Sequence, residues 1–268
     1  MTSVIKIFIA KIIAFFNFHL NYPGLRFETL SARKIFKAQD CNISIICFGD
    51  SNTFGWNSGY LASYPVLLEN KIKACQVKAK VINCGIGGNT IKDAAQRLQD
   101  DVLFFKPKIV IINFGFNDAR LFKFKRNINT ENKSNPLYSL NNEYYTLKIG
   151  KKEFGQLLEN IIEKLQKNHV DVILAGLYKI NKIKTGIFFD DEKQLVDLQN
   201  EVYKEYDVFI KEISCKKNTL FLDLWNKFDD YGKIKSYFQK DGFHLGNEGC
   251  KLIADNLSDL ITKNCLLK

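Results

Sequence analysis

The sequence predicts an α/β fold in which a parallel sheet of about five strands has helices on both of its faces. Short apolar runs alternate along the chain with stretches in which apolar residues recur at helical spacing, as in right-handed strand-helix-strand units. The runs are apolar at nearly every position, which is typical of strands that are covered on both faces. The predicted strands begin near Ile45, Val81, Ile109, Val172 and Leu220.

The first strand ends at a motif of three turn-forming residues. The apolar run that begins at Ile45 stops at Gly49, Asp50 and Ser51. In open parallel sheets, ligands bind beyond the carboxyl ends of the strands, so Ser51 occupies a position at which chemistry is usually done. Glycine, aspartate and serine are also common in ordinary turns, so this motif alone does not establish a catalytic residue.

Helices are predicted between and after the strands. After the second strand, Thr90 is followed three positions later by Asp93, a spacing that predicts a capping box at the start of a helix. The most regular amphipathic pattern covers Lys151–Lys167. The other predicted helices span residues 60–73, residues 195–213 and a final segment that Asn247 is expected to cap.

A long insertion follows the third strand. Residues 119–146, from Ala119 to Thr146, are rich in Asn, Lys and Tyr and show no clear periodicity. A loop of this length inside a compact domain is usually a functional lid or a disordered insertion. We expect it to form the wall of the substrate pocket, and its role beyond that is left open by the sequence.

The polar motifs are spread over most of the 268 residues, and no Pro- or Ser-rich linker divides them. We therefore predict one domain over residues 41–268, preceded by an N-terminal segment, residues 1–40, that is apolar and basic.

The apolar part of that segment, residues 4–18 from Val4 to Phe18, is interrupted by Lys6 and Lys11. It is shorter than the roughly 20 residues of a membrane span. Three interpretations stay open: a helix that packs on the domain or contacts a membrane surface weakly, a signal or anchor, and a loosely ordered terminus.

The formal net charge of +10 invites the hypothesis of a nucleic-acid partner. Only five of the 39 basic residues are Arg, the lysines are scattered along the chain, and no nucleic-acid-binding motif is present. We expect a lysine-rich, solvated surface and no nucleic-acid partner.

No cofactor or metal is expected. The glycine-rich turn at residues 85–88 lacks the third glycine of a dinucleotide motif and the Lys-Ser/Thr pair of a P-loop. The seven cysteines form no C-x-x-C pair, so they predict neither a zinc site nor a thioredoxin-like site. Their odd number favours a reducing, cytoplasmic location, although the N-terminal segment keeps secretion or membrane association open.

Four polar blocks in a fixed order carry a family resemblance. They are Gly49-Asp50-Ser51, Asn83 to Thr90 with its glycines, Gly115-Phe116-Asn117-Asp118 and Asp241-Gly242-Phe243-His244. In this order and spacing the chain resembles the SGNH (GDSL-type) serine hydrolases, whose Ser, Gly, Asn and His match Ser51, Gly88, Asn117 and His244. The resemblance implies a three-layer α/β/α sandwich of flavodoxin-like type. Asn52 stands where the family name has Leu, a departure expected to affect packing more than chemistry.

The resemblance also implies roles for these residues. The backbone N–H groups of Ser51 and Gly88 and the side-chain amide of Asn117 would form an oxyanion hole, and such donors stabilise the negative oxygen that forms in acyl transfer. Asp50 and Asp118 are expected to support their loops by accepting hydrogen bonds from backbone N–H groups.

A serine nucleophile requires a neighbouring base. The chain has three histidines, His19, His169 and His244. The first lies in the N-terminal segment and the second at a predicted helix-strand boundary, where structural or surface roles are expected. Only His244 has an acidic residue, Asp241, three positions earlier in a glycine-containing loop, so that the carboxylate can orient the imidazole.

These residues predict a serine hydrolase that cleaves an ester, a thioester or an O-acetylated sugar through an acyl-enzyme on Ser51, with a small-molecule, lipid or carbohydrate ester as substrate. Two alternatives stay open: a metal-dependent phosphoesterase and a non-catalytic binding module on the same fold. No serine lies in a G-x-S-x-G motif, so the α/β-hydrolase fold is set aside. The oligomeric state is not predicted.

Overall fold

The structure, a computed structural model, describes residues 43–56, 58, 60–124, 137–181, 183–185, 188–190, 192–228 and 234–267. The strands are β1 Ile43–Gly49, β2 Ala79–Gly85, β3 Ile109–Asn113, β4 Leu121–Phe124, β5 Leu137–Leu140, β6 Glu143–Leu147, β7 Asp171–Ala175, β8 Ile183–Thr185, β9 Phe188–Asp190 and β10 Leu220–Leu222. The α-helices are α1 Ser51–Phe54, α2 Tyr64–Ala74, α3 Ile91–Asp101, α4 Lys151–Lys167, α5 Lys193–Lys216, α6 Leu224–Lys227, α7 Ile234–Tyr237 and α8 Asn247–Lys263. Short 3₁₀ turns cover Tyr60–Ala62 and Leu103–Phe105.

Five parallel strands form the central sheet in the order β2-β1-β3-β7-β10. Numbered along the chain, this is the 2-1-3-4-5 order of flavodoxin-like folds. The five predicted strands are confirmed. The order reverses between β1 and β3, and that reversal is where open α/β sheets place their ligands.

Helices flank this sheet in two groups. Helix α2 packs against α8, while α3 packs against α4 and α4 against α5. The strands between them are apolar because both faces are covered, and every residue of β3 is buried. The α/β sandwich predicted from the sequence is therefore confirmed.

The ends of two helices test the capping predictions. The capping box is confirmed: the backbone N–H of Thr90 donates to the Asp93 carboxylate at 2.8 Å, and the Thr90 side chain bonds the same group. Helix α8 differs by one residue, because Asn247 is its first helical residue and Gly246 occupies the N-cap. The backbone N–H of Gly246 donates to the Tyr237 carbonyl, which keeps Gly246 extended and delays the start of the helix.

The insertion of residues 119–146 is not an irregular loop in the parts that the structure describes. Strands β4, β5 and β6 form a separate antiparallel sheet in the order β4-β6-β5. Tyr145 and Leu147 of β6 are buried in alternation with half-buried neighbours, a period-two pattern too short to recognise among the surrounding Asn and Lys. Gln199 of α5 fixes this sheet to the domain, because its amide oxygen accepts from the Leu121 N–H and its amide nitrogen donates to the Ala119 carbonyl.

Residues 1–42 lie outside the described residues. The domain boundary at residue 41 and the three interpretations of residues 4–18 therefore stay predictions. Among the helices that the structure describes, none has the length and apolar character needed to cross a membrane.

Gly85, at the end of β2, lies directly beneath helix α1. A Cβ at this position would be 2.3 Å from the backbone nitrogen of Phe54, and backbone of a packed helix cannot move aside cheaply. We expect Gly85→Ala to lower the free energy of unfolding by about 1–3 kcal/mol, the usual cost of overpacking, measured by urea denaturation.

Gly155→Ala is the matched control for Gly85→Ala. A Cβ at Gly155 would be 2.6 Å from the ring of Phe209, a half-buried side chain that can turn away, and alanine is favoured over glycine inside a helix by about 1 kcal/mol. Equal stability of the Gly85→Ala and native proteins would contradict the close packing of α1 on β2.

Candidate active site

Ser51 lies at the carboxyl end of β1 as the first residue of helix α1. Asp50 caps this helix, because its Oδ1 accepts a hydrogen bond from the backbone N–H of Asn52 at 2.9 Å. The helix ends after one turn at Gly55, whose φ of 91° is in the left-handed region. The local sequence thus forms a tight strand-to-helix turn that holds the serine in one place.

His244 lies in the loop before α8, and Asp241 shapes that loop. The Asp241 Oδ1 atom accepts hydrogen bonds from the backbone N–H groups of Phe243 and His244 at 3.0 and 2.9 Å. Gly242 has a φ of 67°, which allows the chain to turn back over the carboxylate. The remaining oxygen of Asp241 faces the His244 ring, with Oδ2 and Nδ1 2.7 Å apart.

The other ring nitrogen of His244 faces the serine. His244 Nε2 and Ser51 Oγ are 3.0 Å apart, so Ser51, His244 and Asp241 form a continuous hydrogen-bonded chain. Trp56 stacks on the imidazole with ring centroids 5.8 Å apart, and Phe243 meets it edge-on. These contacts hold the ring in an orientation in which it can take a proton from the serine hydroxyl.

The charge of Asp241 is favoured by its surroundings. Burial on its own raises the pKa of this carboxyl, but the hydrogen bonds and attraction from His244 outweigh burial and hold the pKa below its ordinary value. The group is therefore ionised near neutral pH and can stabilise a protonated imidazole.

Asn117 lies close to the nucleophile on the other side. Its side-chain nitrogen donates to Asp50 Oδ2 at 3.2 Å and to the carbonyl oxygen of Asn89 at 3.0 Å. Gly88, the residue before Asn89, is exposed and has a φ of 78°; apart from its chain neighbours, no atom of the described residues lies within 4 Å of where a Cβ would be. Through Asn117 the structure brings the loops of Ser51, Gly88 and Asn117 together.

Arg97 is a residue of this region for which the sequence analysis assigned no role. Its guanidinium donates to the carbonyl oxygen of Gly49, the last residue of β1, to that of Cys84, near the end of β2, and to the side chain of Asn89. It also lies over the ring of Phe48 at 4.4 Å. The sequence offers one signal for this role, which is that the residue is an arginine. Arginines are few in this lysine-rich chain, and the planar guanidinium binds several acceptors at once.

Of the other two histidines the structure describes one, His169, and it is not part of this arrangement. His169 is an exposed residue with a φ of 59° in the turn between α4 and β7, and His19 lies outside the described residues. Within the described ranges, no three His, Cys, Asp or Glu side chains are grouped so that they could hold a metal ion.

Two buried carboxyls support the loops of the site. Asp50 caps α1, and Asp118 Oδ1 accepts from the backbone N–H of Ile91 at 2.8 Å, so both accept backbone hydrogen bonds as expected. Both are completely buried, and burial raises the pKa of each to about 7. Asp118 Oδ2 is buried with no hydrogen-bond partner in the described part of the chain.

The raised pKa of Asp118 predicts a pH dependence of stability. A folded-state pKa of about 7, above the ordinary value of 3.8, means that the folded protein binds this proton more tightly than the unfolded chain. The free energy of unfolding should therefore fall as pH rises from about 4 to about 7. Asp118→Asn retains the acceptor for Ile91 without the charge, so its stability should fall less between about pH 5 and pH 8.

Urea denaturation at the two pH values measures this difference, with the exposed Asp259→Asn as control. Identical pH dependence of the native and Asp118→Asn proteins would show that the Asp118 carboxyl is not the source.

Comparison with known proteins places this arrangement in a family. The model of the GDSL-like Lipase/Acylhydrolase family matches residues 47–252. The uncharacterized lipoprotein YqeF of Bacillus subtilis (strain 168) is 26% identical over 234 residues, which cover 80% of this chain and 88% of that protein.

Two solved structures share the fold. A lipase/acylhydrolase from Enterococcus faecalis superposes with a TM-score of 0.63 at 24% identity, over 83% of this chain and 96% of that one. A catalytic mutant of an acetylxylan esterase from Geobacillus stearothermophilus gives a TM-score of 0.61 at 19% identity, over 82% and 94%. The family match covers most of the chain and includes the loops of all four polar blocks, so this protein belongs to the GDSL-like Lipase/Acylhydrolase family and is an SGNH-type ester hydrolase.

Proposed function

We propose that this protein hydrolyses a carboxylic ester through an acyl-enzyme on Ser51, with His244 as general base and Asp241 as its orienting carboxylate. The observation that carries the proposal is the hydrogen-bonded chain from Ser51 Oγ through both nitrogens of His244 to Asp241 Oδ2. A serine hydroxyl becomes an effective nucleophile only when a base accepts its proton, and this arrangement supplies one.

The reaction follows from these positions. Ser51 Oγ attacks the ester carbonyl carbon while its proton passes to His244 Nε2, and Asp241 stabilises the imidazolium that forms. Collapse of the tetrahedral intermediate breaks the bond to the alcohol, which receives the proton from Nε2. A water molecule then attacks the acyl group with His244 again acting as base, and the acid and free Ser51 are released.

The oxyanion would be bound by the backbone N–H groups of Ser51 and Gly88 and by the Asn117 amide. Ser51 lies in the first turn of α1, where backbone N–H groups have no partner inside the helix. The Asn117 amide already donates to two acceptors, and its bond to Asp50 is the longer one. We infer that the developing oxyanion replaces Asp50 as the acceptor while Asn89 keeps the amide in place.

The substrate is proposed to be a small-molecule, lipid or carbohydrate ester. Structures with this fold include proteins described as a lipase/acylhydrolase and as acetylxylan esterases, which supports an ester over a thioester. YqeF is named a lipoprotein, and that name favours membrane association over the cytoplasmic location predicted from the cysteine count. We propose that residues 4–18 provide a membrane-surface contact.

Ser51→Ala should abolish turnover of a soluble ester such as p-nitrophenyl acetate and prevent labelling by a fluorophosphonate probe, because it removes the hydroxyl that lies beside His244 Nε2. Mass spectrometry of the native protein should locate the label on Ser51. Ser214, a buried serine of α5 that donates to the Thr219 carbonyl, provides the control, and Ser214→Ala should remain active. Full activity of Ser51→Ala would refute the mechanism, whereas inactivation by EDTA that zinc or manganese reverses would favour the phosphoesterase alternative.

Asn117→Ala should lower kcat by roughly 10²- to 10³-fold, the usual effect of losing one oxyanion donor, while KM changes little. Asn113→Ala is the matched control: Asn113 is also buried, but its amide faces the carbonyl oxygens of Ala175 and Gly176. It should lower stability and leave kcat nearly unchanged. Alanine is the better substitution for this test than aspartate, because an aspartate at position 117 would place a second carboxylate against Asp50. A folded Asn117→Ala protein with native kcat would remove Asn117 from the oxyanion hole.

A further inference from the structure

Asn52, the residue after the nucleophile, makes a contact that its position in the sequence does not reveal. Its side chain is buried, with 1% of its surface exposed. The side-chain oxygen accepts a hydrogen bond from the backbone N–H of Leu245 at 3.2 Å. Leu245 directly follows His244, so Asn52 connects the helix that carries Ser51 with the loop that carries the base. The sequence predicts that Asn52 affects packing more than chemistry, and this contact also links it to the loop of the base.

The other side of the same loop is also held by side chains. The carbonyl oxygen of Leu245 accepts from Ser58 Oγ at 2.6 Å and from Gln239 Nε2 at 3.1 Å, and the His244 carbonyl accepts from the Gln239 backbone N–H at 2.8 Å. Of the three side chains, only that of Asn52 belongs to helix α1. It thus adds a backbone-anchored contact between the helix of the serine and the loop of the histidine, beside the Ser51–His244 hydrogen bond and the Trp56 stacking.

This contact has a cost in stability. The side-chain nitrogen of Asn52 is buried and has no hydrogen-bond partner among the described residues. An unpaired buried donor costs about 1–3 kcal/mol. A leucine, the residue in the family name, has similar size and would remove this unpaired donor, but it would leave the Leu245 N–H without its acceptor. A destabilising polar group next to the nucleophile is the pattern expected of a residue retained for function.

We propose that Asn52 is a positioning residue, which fixes the backbone of Leu245 and thereby holds His244 Nε2 within hydrogen-bond distance of Ser51 Oγ. The proposal rests on the function proposed above for Ser51 and His244. Asn52 itself takes no part in the chemistry. Asn52 affects how often His244 is in place when a substrate is bound. Substitution of Asn52 should therefore lower kcat and the reactivity of Ser51 and change KM little.

The test compares Asn52→Leu with Asn52→Ala. Both remove the acceptor for the Leu245 N–H, and we expect both to lower kcat about 5- to 20-fold, as loss of one buried hydrogen bond predicts, with KM within about twofold. The rate of inactivation by a fluorophosphonate probe should fall by the same factor, because it reports serine activation without the ester substrate. Asn52→Leu should melt near the native temperature, since it removes the unpaired amide donor but leaves the Leu245 N–H without its acceptor.

Thr53→Val is the matched control on the same helix. Thr53 is buried, and its hydroxyl bonds that of Tyr64 in helix α2 at 2.9 Å, away from the histidine loop. Loss of this bond should lower the melting temperature while kcat and the inactivation rate stay within about twofold of native values, because the contact is to the scaffold.

Three outcomes would overturn the proposal. In the first, Asn52→Leu retains native kcat while Asn52→Ala loses it, which would show that the side chain only fills space. In the second, both variants retain native kcat and inactivation rate. In the third, the fall in kcat across the Asn52 and Thr53 variants follows the fall in their melting temperatures, which is the result that a purely structural role predicts. Ser51→Ala separates this test from the proposed function: if it is inactive while both Asn52 variants are fully active, only the role of Asn52 fails.

Discussion

The site depends on the parallel pairing of β1 between β2 and β3. In that register Gly49, the last residue of β1, lies opposite Gly85 on one side and Asn113 on the other. The three strands therefore end at one level, and the loops that follow them begin side by side. The order of the strands reverses here, which opens a crevice at the carboxyl edge of the sheet. A shift of one residue in either pairing would separate the nucleophile from the groups proposed to bind the oxyanion.

Helix α1 and the loop of Asn89 can pack closely against the ends of β1 and β2 because glycine and arginine residues are present there. Glycine leaves room, since a Cβ at Gly49 would be 2.0 Å from the Thr53 hydroxyl and one at Gly85 would meet the backbone of α1. Arg97 supplies donors to carbonyl oxygens at the strand ends. Its guanidinium is partly desolvated, which lowers its pKa, while Asp101 at 3.2 Å opposes that effect. One side chain of α3 thus ties together two strands and the loop of Asn89.

Several polar groups near the nucleophile are buried although their burial destabilises the fold. Asp50 and Asp118 are buried carboxyls: burial raises the pKa of each, and the charge of Asp50 raises the pKa of Asp118 further. Asn52 adds an unpaired buried donor. The buried faces of the surrounding strands and helices are mostly apolar and supply the stability that offsets these costs. Such a distribution is expected where a fold holds polar groups in fixed positions before a substrate arrives.

Much of this could be predicted from the sequence, because the relevant signals are local. Apolar runs define the five strands, the spacing of Thr90 and Asp93 marks a helix start, and three of the four polar blocks lie at the ends of strands. The sequence could not show the antiparallel sheet of the insertion, since its short strands gain stability from pairing and from Gln199, 78 residues away from Leu121. Nor could it show the contacts of Arg97 or of Asn52, which depend on residues distant along the chain and brought together only by the packed sheet. The residue types and their order therefore identify the chemistry, and tertiary packing decides which side chains hold the reacting groups in place.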